Sequence, residues 1–85
     1  MPVTEEEFKE FCAGLTEATK NAMNQEEQIQ AYGLYKQALE GDVKEARPGM
    51  FAMTAKAKWD ARDKVRGMSQ EEAREKYIAL VKQYV

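Results

Sequence analysis

At three places along this chain a short polar side chain that precedes an apolar helical spacing is followed three residues later by glutamate: Thr4 with Glu7, Asn24 with Glu27, and Ser69 with Glu72. The first side chain can accept from the third helical N–H while the glutamate reaches back to the cap, so each pair marks a helix start. Apolar residues follow at spacings of three and four. They are Phe8, Phe11, Cys12 and Leu15; then Ile29, Tyr32, Tyr35, Ala38 and Leu39; then Ala73, Tyr77, Ile78 or Leu80, Val81 and Tyr84. No segment alternates with a period of two, and no internal repeat is visible. The spacing predicts one all-α domain over residues 1–85, with helices at about 4–18, 25–40, 55–66 and 69–84 and with Gly41 and Gly67 as stop signals.

Between the second and third helices the pattern breaks for about a dozen residues, where Asp42, Arg47, Pro48 and Gly49 carry turn chemistry. A connection that long either crosses a bundle from end to end or serves a binding site, and Met50, Phe51 and Met53 are expected to pin it down. Thr19 to Met23 reads as a short turn. Short turns after the first and third helices make those pairs antiparallel, while the long connection leaves the second and third free to run parallel. A four-helix bundle of up-down-down-up order is the expected architecture. At 85 residues, folding hides only about 60 to 65 % of the unfolded chain's surface, so the core must be economical.

Several classes of chemistry are disfavoured by what the chain contains. It has no histidine, hence no imidazole base and no ordinary zinc site. Cys12, the single cysteine, lies on an apolar stripe and reads as an inert buried thiol; with no partner it forms no intramolecular disulfide, which fits a reducing compartment. The carboxylates are dispersed and the glycines isolated, so neither a glycosidase pair nor a phosphate-cradling loop is indicated. The N-terminal MPVTEEEF has neither a basic region nor an apolar run, so no signal peptide and no membrane insertion are expected, and a cytoplasmic location follows. The expectation is a protein that is not an enzyme.

The net charge of −2 conceals an asymmetry: residues 1–30 hold 7 acids against 2 bases, and residues 31–85 hold 8 acids against 11 bases. The cations are densest from Lys56 to Arg66, where Arg62, Lys64 and Arg66 read as a solvated helix face and Lys58 as the exception with a task. Without a strongly basic stripe or a base-stacking motif, nucleic acid is not an expected partner.

The stretch that carries most chemistry is YGLYKQA, Tyr32 to Ala38. Tyr32 and Lys36 lie one turn apart on one helix stripe, with Tyr35 about 60° away on the same broad face. Two phenols supply flat rings tipped with hydroxyls, and the ammonium suits a phosphate, so the trio could cradle an aromatic phosphorylated ligand. The competing reading is a helix-packing face with Lys36 extending past it.

Downstream come GD at Gly41 and Asp42, ARPGM at Ala46 to Met50, KAKWDA at Lys56 to Ala61, and KYI at Lys76 to Ile78. In this order and at these intervals, over nearly the whole chain, the blocks resemble the acyl-CoA-binding protein family. The resemblance implies the up-down-down-up four-helix bundle and a bowl for the ligand between the second and third helices and the connection that overhangs it. It implies a monomeric intracellular carrier that needs no cofactor. Such a carrier binds medium- to long-chain fatty acyl-CoA, one per domain, buffers the free pool and delivers it to lipid-metabolising enzymes. Carried over by position, Tyr32, Lys36, Lys58 and Tyr77 match the nucleotide-contacting residues, with Lys36, Lys58 and Tyr32 on the 3′-phosphate and Tyr77 against the adenine. Gly33 and Tyr35 complete the matched stretch.

Candidates to line the acyl chain are Phe8, Cys12, Ile29, Met50 and Met53, each of which equally suits plain core packing. Trp59 reads either as a packing anchor or as a ligand contact. The chain departs from the family pattern at Thr16 and Thr54, where basic residues are common, and at Phe11, which replaces a small residue, so a less cationic phosphate site and an altered chain-length preference are expected. The alternative to a carrier is a non-catalytic helical adaptor for a protein partner, which accounts for the amphipathic stripes but not for the ordered tyrosines and lysines.

Overall fold

A computed structural model describes residues 3–85, and among them every regular element is helical. The elements are α1 (Glu5–Ala13), α2 (Glu17–Ala22), α3 (Gln25–Glu40), α4 (Met53–Lys64) and α5 (Gln70–Val81), closed by a 3-10 turn at Lys82–Tyr84. The four expected helices are present, and a fifth, short one is inserted between the first two.

Helix starts follow the cap chemistry. Thr4 accepts from the Glu7 N–H at 3.1 Å while Glu7 takes the Thr4 N–H at 3.2 Å. Asn24 and Glu27 make the same reciprocal pair at 2.8 and 3.1 Å. At Ser69 only the forward bond forms, from the Glu72 N–H at 3.0 Å. Helix α4 begins without a side-chain cap, at Met53 rather than Ala55, and ends at Lys64, two residues before the expected Arg66.

The first helix does not run to residue 18. It stops at Ala13, where the Gly14 N–H closes back on Glu10 and Phe11 carbonyls, and Thr16 then caps α2 by accepting from the Thr19 N–H at 3.4 Å. Glycine weakens a helix interior and a threonine hydroxyl competes for backbone donors, so the two together divide what the apolar spacing reads as continuous. The expected turn at Thr19 to Met23 is thus largely α2 itself.

Helix α3 packs on α4 and on α5, and α1 packs on α5. Its approach to α4 is close enough to require glycine: a Cβ on Gly33 would lie 2.6 Å from the Ala61 carbonyl oxygen. At the centre, the Phe8 ring meets Tyr77 edge-on at 5.4 Å and Tyr35 at 5.9 Å, and Phe11 stands edge-on to Tyr77 at 6.4 Å. Met23, Ala31, Leu34, Ala38, Ala73 and Val81 complete this core.

The connection from Gly41 to Ala52 is held by polar contacts rather than by the apolar residues expected to pin it. Met50, Phe51 and Met53 are 74 %, 94 % and 73 % exposed. The Gln37 amide instead donates to Asp42 at 2.8 Å and to the Met68 carbonyl at 2.7 Å, and Asp42 also accepts from the Gly67 N–H. Trp59 Nε1 donates to the Glu45 carbonyl at 2.7 Å, and Arg47 forks onto Asp60 with two bonds of 2.9 Å. Val43 is the one connection residue buried in the core. Side chains of α3 and α4 thus tie the connection down through its own side chains Asp42 and Arg47, and through one of its backbone carbonyls, that of Glu45.

Candidate functional site

Two depressions meet at Tyr32. The larger is a groove of about 640 Å³ walled by Cys12, Leu15, Met23, Ile29, Ala31, Tyr35, Tyr77 and Val81, with Thr19, Lys20, Gln25, Gln28, Thr54 and Lys58 as its polar members. The smaller, about 260 Å³, lies between α3, the connection and α4, and is lined by Lys36, Glu40, Glu45, Ala46, Pro48, Ala55, Trp59 and Arg62. Tyr32 belongs to both walls.

The Tyr32 ring is flanked by two ammonium groups from different helices. Lys58 Nζ on α4 stands 5.2 Å from the ring centroid and Lys36 Nζ on α3 stands 6.0 Å away. Each is within the range at which an aromatic face attracts a cation. Lys58 makes no ion pair among the described residues, whereas Lys36 is bonded to Glu40 at 3.0 Å, one turn along α3. That contact holds the Lys36 ammonium above its ordinary pKa and the Glu40 carboxyl below its own. Two cations beside one tyrosine ring make a site that attracts an anion, and the groove beside it can take an apolar tail.

Tyr77 forms part of the groove floor and is only 9 % exposed. Burial, with Cys12 and Tyr35 beside it, pushes its phenol up to about 12. Burial also raises the Cys12 thiol, against an opposing hydrogen bond from Tyr77, which fits an inert thiol in a wall. No cluster of His, Cys, Asp or Glu that could hold a metal occurs among the described residues, and no helix there is long and apolar enough to cross a membrane.

A protein-family profile described as "Acyl CoA binding protein" matches residues 5–81. The rice acyl-CoA-binding domain-containing protein 1 is 50 % identical over 78 residues, covering 92 % of this chain and 81 % of that protein. Rice acyl-CoA-binding domain-containing protein 3 is also 50 % identical over 92 % of this chain, which spans 48 % of that relative's length. The crystal structure of rice acyl-CoA-binding protein 2 superposes with a TM-score of 0.75 at 43 % identity, over 93 % of this chain and 83 % of that one. The chain belongs to the acyl-CoA-binding protein family.

Of the residues that the family resemblance singles out, Tyr32, Tyr35, Lys58 and Tyr77 gather at the groove and Lys36 sits in the adjoining small cavity. Gly33 is buried in the α3–α4 seam and lines neither depression. Cys12 and Ile29 are groove walls, but Phe8, 1 % exposed, is core behind Tyr35 and Tyr77, and Met50 and Met53 project outward. Thr54 is at the groove, while Thr16 is engaged as the α2 cap. Trp59 is the anchor of the connection and a wall of the small cavity at once.

Arg62 is the main correction. Its charge-rich neighbourhood suggests a solvated face, yet it is 6 % exposed, bonded to Glu45 at 3.3 Å and 3.9 Å from Glu40. Arg62 is one turn beyond Lys58, as Glu40 is one turn beyond Lys36, and the packing of α4 on α3 brings both into the small cavity, which the spacing alone does not reveal.

Proposed function

We propose that this protein binds medium- to long-chain acyl-CoA thioesters, one per chain, as a non-enzymatic monomeric carrier that works in the cytoplasm and supplies lipid metabolism. The observation that carries the reading is the convergence of Lys36 and Lys58 on Tyr32 beside an apolar groove. Family membership and the names of the relatives support it. In this reading Lys58, Lys36 and the Tyr32 hydroxyl take the 3′-phosphate of the nucleotide, and Tyr35 and Tyr77 present aromatic surface to its remainder.

Cys12, Ile29, Leu15 and Met23 wall the path of the tail. The groove volume is within the span of about 300 to 1,000 Å³ usual for small-molecule sites. Each methylene withdrawn from water contributes about 0.8 kcal/mol, so the tail adds a large share of the affinity. Gly33 and Phe8 act indirectly, Gly33 by letting α3 and α4 approach and Phe8 by backing the two tyrosines. Binding of this kind hides a detergent-like molecule from membranes and from hydrolysis without making or breaking a bond, which suits a chain with no imidazole base.

The test is calorimetric titration with palmitoyl-CoA, free CoA and palmitate, on the wild type and on Lys36→Ala and Lys58→Ala. Palmitoyl-CoA is expected to bind one to one and far more tightly than either fragment. A charge-assisted contact is worth about 1.5 to 3 kcal/mol, so each lysine variant loses about one to two decades of affinity, Lys58→Ala the more because Lys36 is partly occupied by Glu40. Absence of saturable heat below the micelle-forming range of palmitoyl-CoA would overturn the reading.

A further inference from the structure

The small cavity holds a charge arrangement that simple phosphate capture does not require. One carboxylate, Glu40, lies between two cations: its Oε2 is 3.0 Å from Lys36 Nζ and its Oε1 is 3.9 Å from Arg62 Nη2. Lys36 and Glu40 are partly exposed, whereas the Arg62 side chain is 7 % exposed and is held in place by Glu45. Arg62 Nε is buried with no hydrogen-bond partner, so the guanidinium retains unused donor capacity in a place where that is costly.

We propose that Arg62 is a positioning residue that frees Lys36 for the ligand's 3′-phosphate by taking over Glu40. This rests on the acyl-CoA reading above. In the unliganded protein Glu40 neutralises Lys36, leaving Lys58 as the available cation beside Tyr32. When the phosphate engages Lys36, an unpaired Glu40 would stand one turn away as a repelling charge. Closing the gap to Arg62 gives Glu40 a second partner and satisfies more of the buried guanidinium's donors, so the phosphate does not have to compete with a carboxylate that has nowhere else to go. Arg62 thereby raises discrimination in favour of ligands that carry the 3′-phosphate, without touching them.

The experiment compares palmitoyl-CoA with palmitoyl-3′-dephospho-CoA by calorimetry on the wild type, Glu40→Gln, Arg62→Met and the double variant, with circular dichroism confirming each fold. The readout is the ratio of the two affinities, which a general loosening of the fold would not move. Glu40→Gln, a surface change, is expected to widen the ratio about threefold, in line with the modest worth of an exposed pair. Arg62→Met is expected to narrow it about tenfold, because a buried partner is removed and Glu40 stays on Lys36. In the double variant the narrowing is expected to disappear, since no carboxylate remains to be redirected.

A ratio left unchanged by Arg62→Met, or a double variant in which the two effects merely add, would overturn the proposal; additivity would mean that Arg62 acts only as a distant charge. If Arg62→Met does not fold, a ratio unchanged by Glu40→Gln overturns it as well. A wild type that binds and prefers the 3′-phosphate, with neither variant moving the ratio, defeats this inference alone. A wild type that binds neither ligand defeats the proposed function and this inference with it.

Discussion

Gly33 has no side chain because α4 leaves no room for one. A Cβ there would meet the Ala61 carbonyl oxygen at 2.6 Å and its carbon at 2.7 Å, and neither is the end of a flexible side chain. Gly33→Ala therefore forces the two backbones apart, and a loss of about 1 to 3 kcal/mol in chemical denaturation is expected, the usual range for overpacking. Because Lys36 and Lys58 sit on those two helices, the same variant should weaken palmitoyl-CoA binding as well. Gly14 provides the contrast, since its nearest neighbour would be an ordinary 3.6 Å away. Nothing local in YGLYKQA distinguishes a glycine that touches a ligand from one that admits a neighbouring helix; Ala61 is 28 positions away, and only their crossing makes the difference.

At the scale of the element, α3 matters most, since it packs on both α4 and α5 and bears Tyr32, Tyr35 and Lys36. Its start depends on Asn24, whose side chain takes the Glu27 N–H at 2.8 Å. Glu27 in turn accepts from the Tyr84 hydroxyl, so the cap of α3 also ties down the last turn of the chain. Asn24→Ala is expected to cost about 1 kcal/mol, read as a shift in urea midpoint with an unchanged slope. This cap was legible in the sequence because it is a contact over three residues. The break in the first helix was not: Phe8, Phe11, Cys12 and Leu15 keep a helical spacing straight through Gly14, and the periodicity of burial does not reveal that the backbone has stopped and restarted.

On the scale of the whole molecule, Phe8, Phe11, Tyr35 and Tyr77 join α1, α3 and α5 in one aromatic cluster that also backs the groove. Tyr77 has its phenol raised from 10.0 to about 12, mainly by burial. An unfolded tyrosine ionises near 10 while this one stays neutral until about 12, so stability that is fully present below pH 10 is lost as the pH climbs through that interval. Urea unfolding between pH 9 and pH 12 should show that decline, and Tyr77→Phe, which has no proton to lose, should flatten it. An equally steep decline in the variant would place the alkaline sensitivity elsewhere.

The sequence by itself determined the helical class, the caps of three helices, the place of the long connection and, through the order of YGLYKQA, ARPGM, KAKWDA and KYI, the family. All of these depend on neighbours within a turn or two, or on the linear order of short blocks. Tertiary structure alone decided that Phe8 belongs to the core, that Met50 and Met53 point outward, that polar bonds from Gln37, Trp59 and Arg47 hold the connection, and that Arg62 is buried between Glu40 and Glu45. Those outcomes turn on which surfaces of α3, α4 and α5 face one another. Burial of a charge becomes tolerable only where packing brings an opposite charge to it from a distant part of the chain.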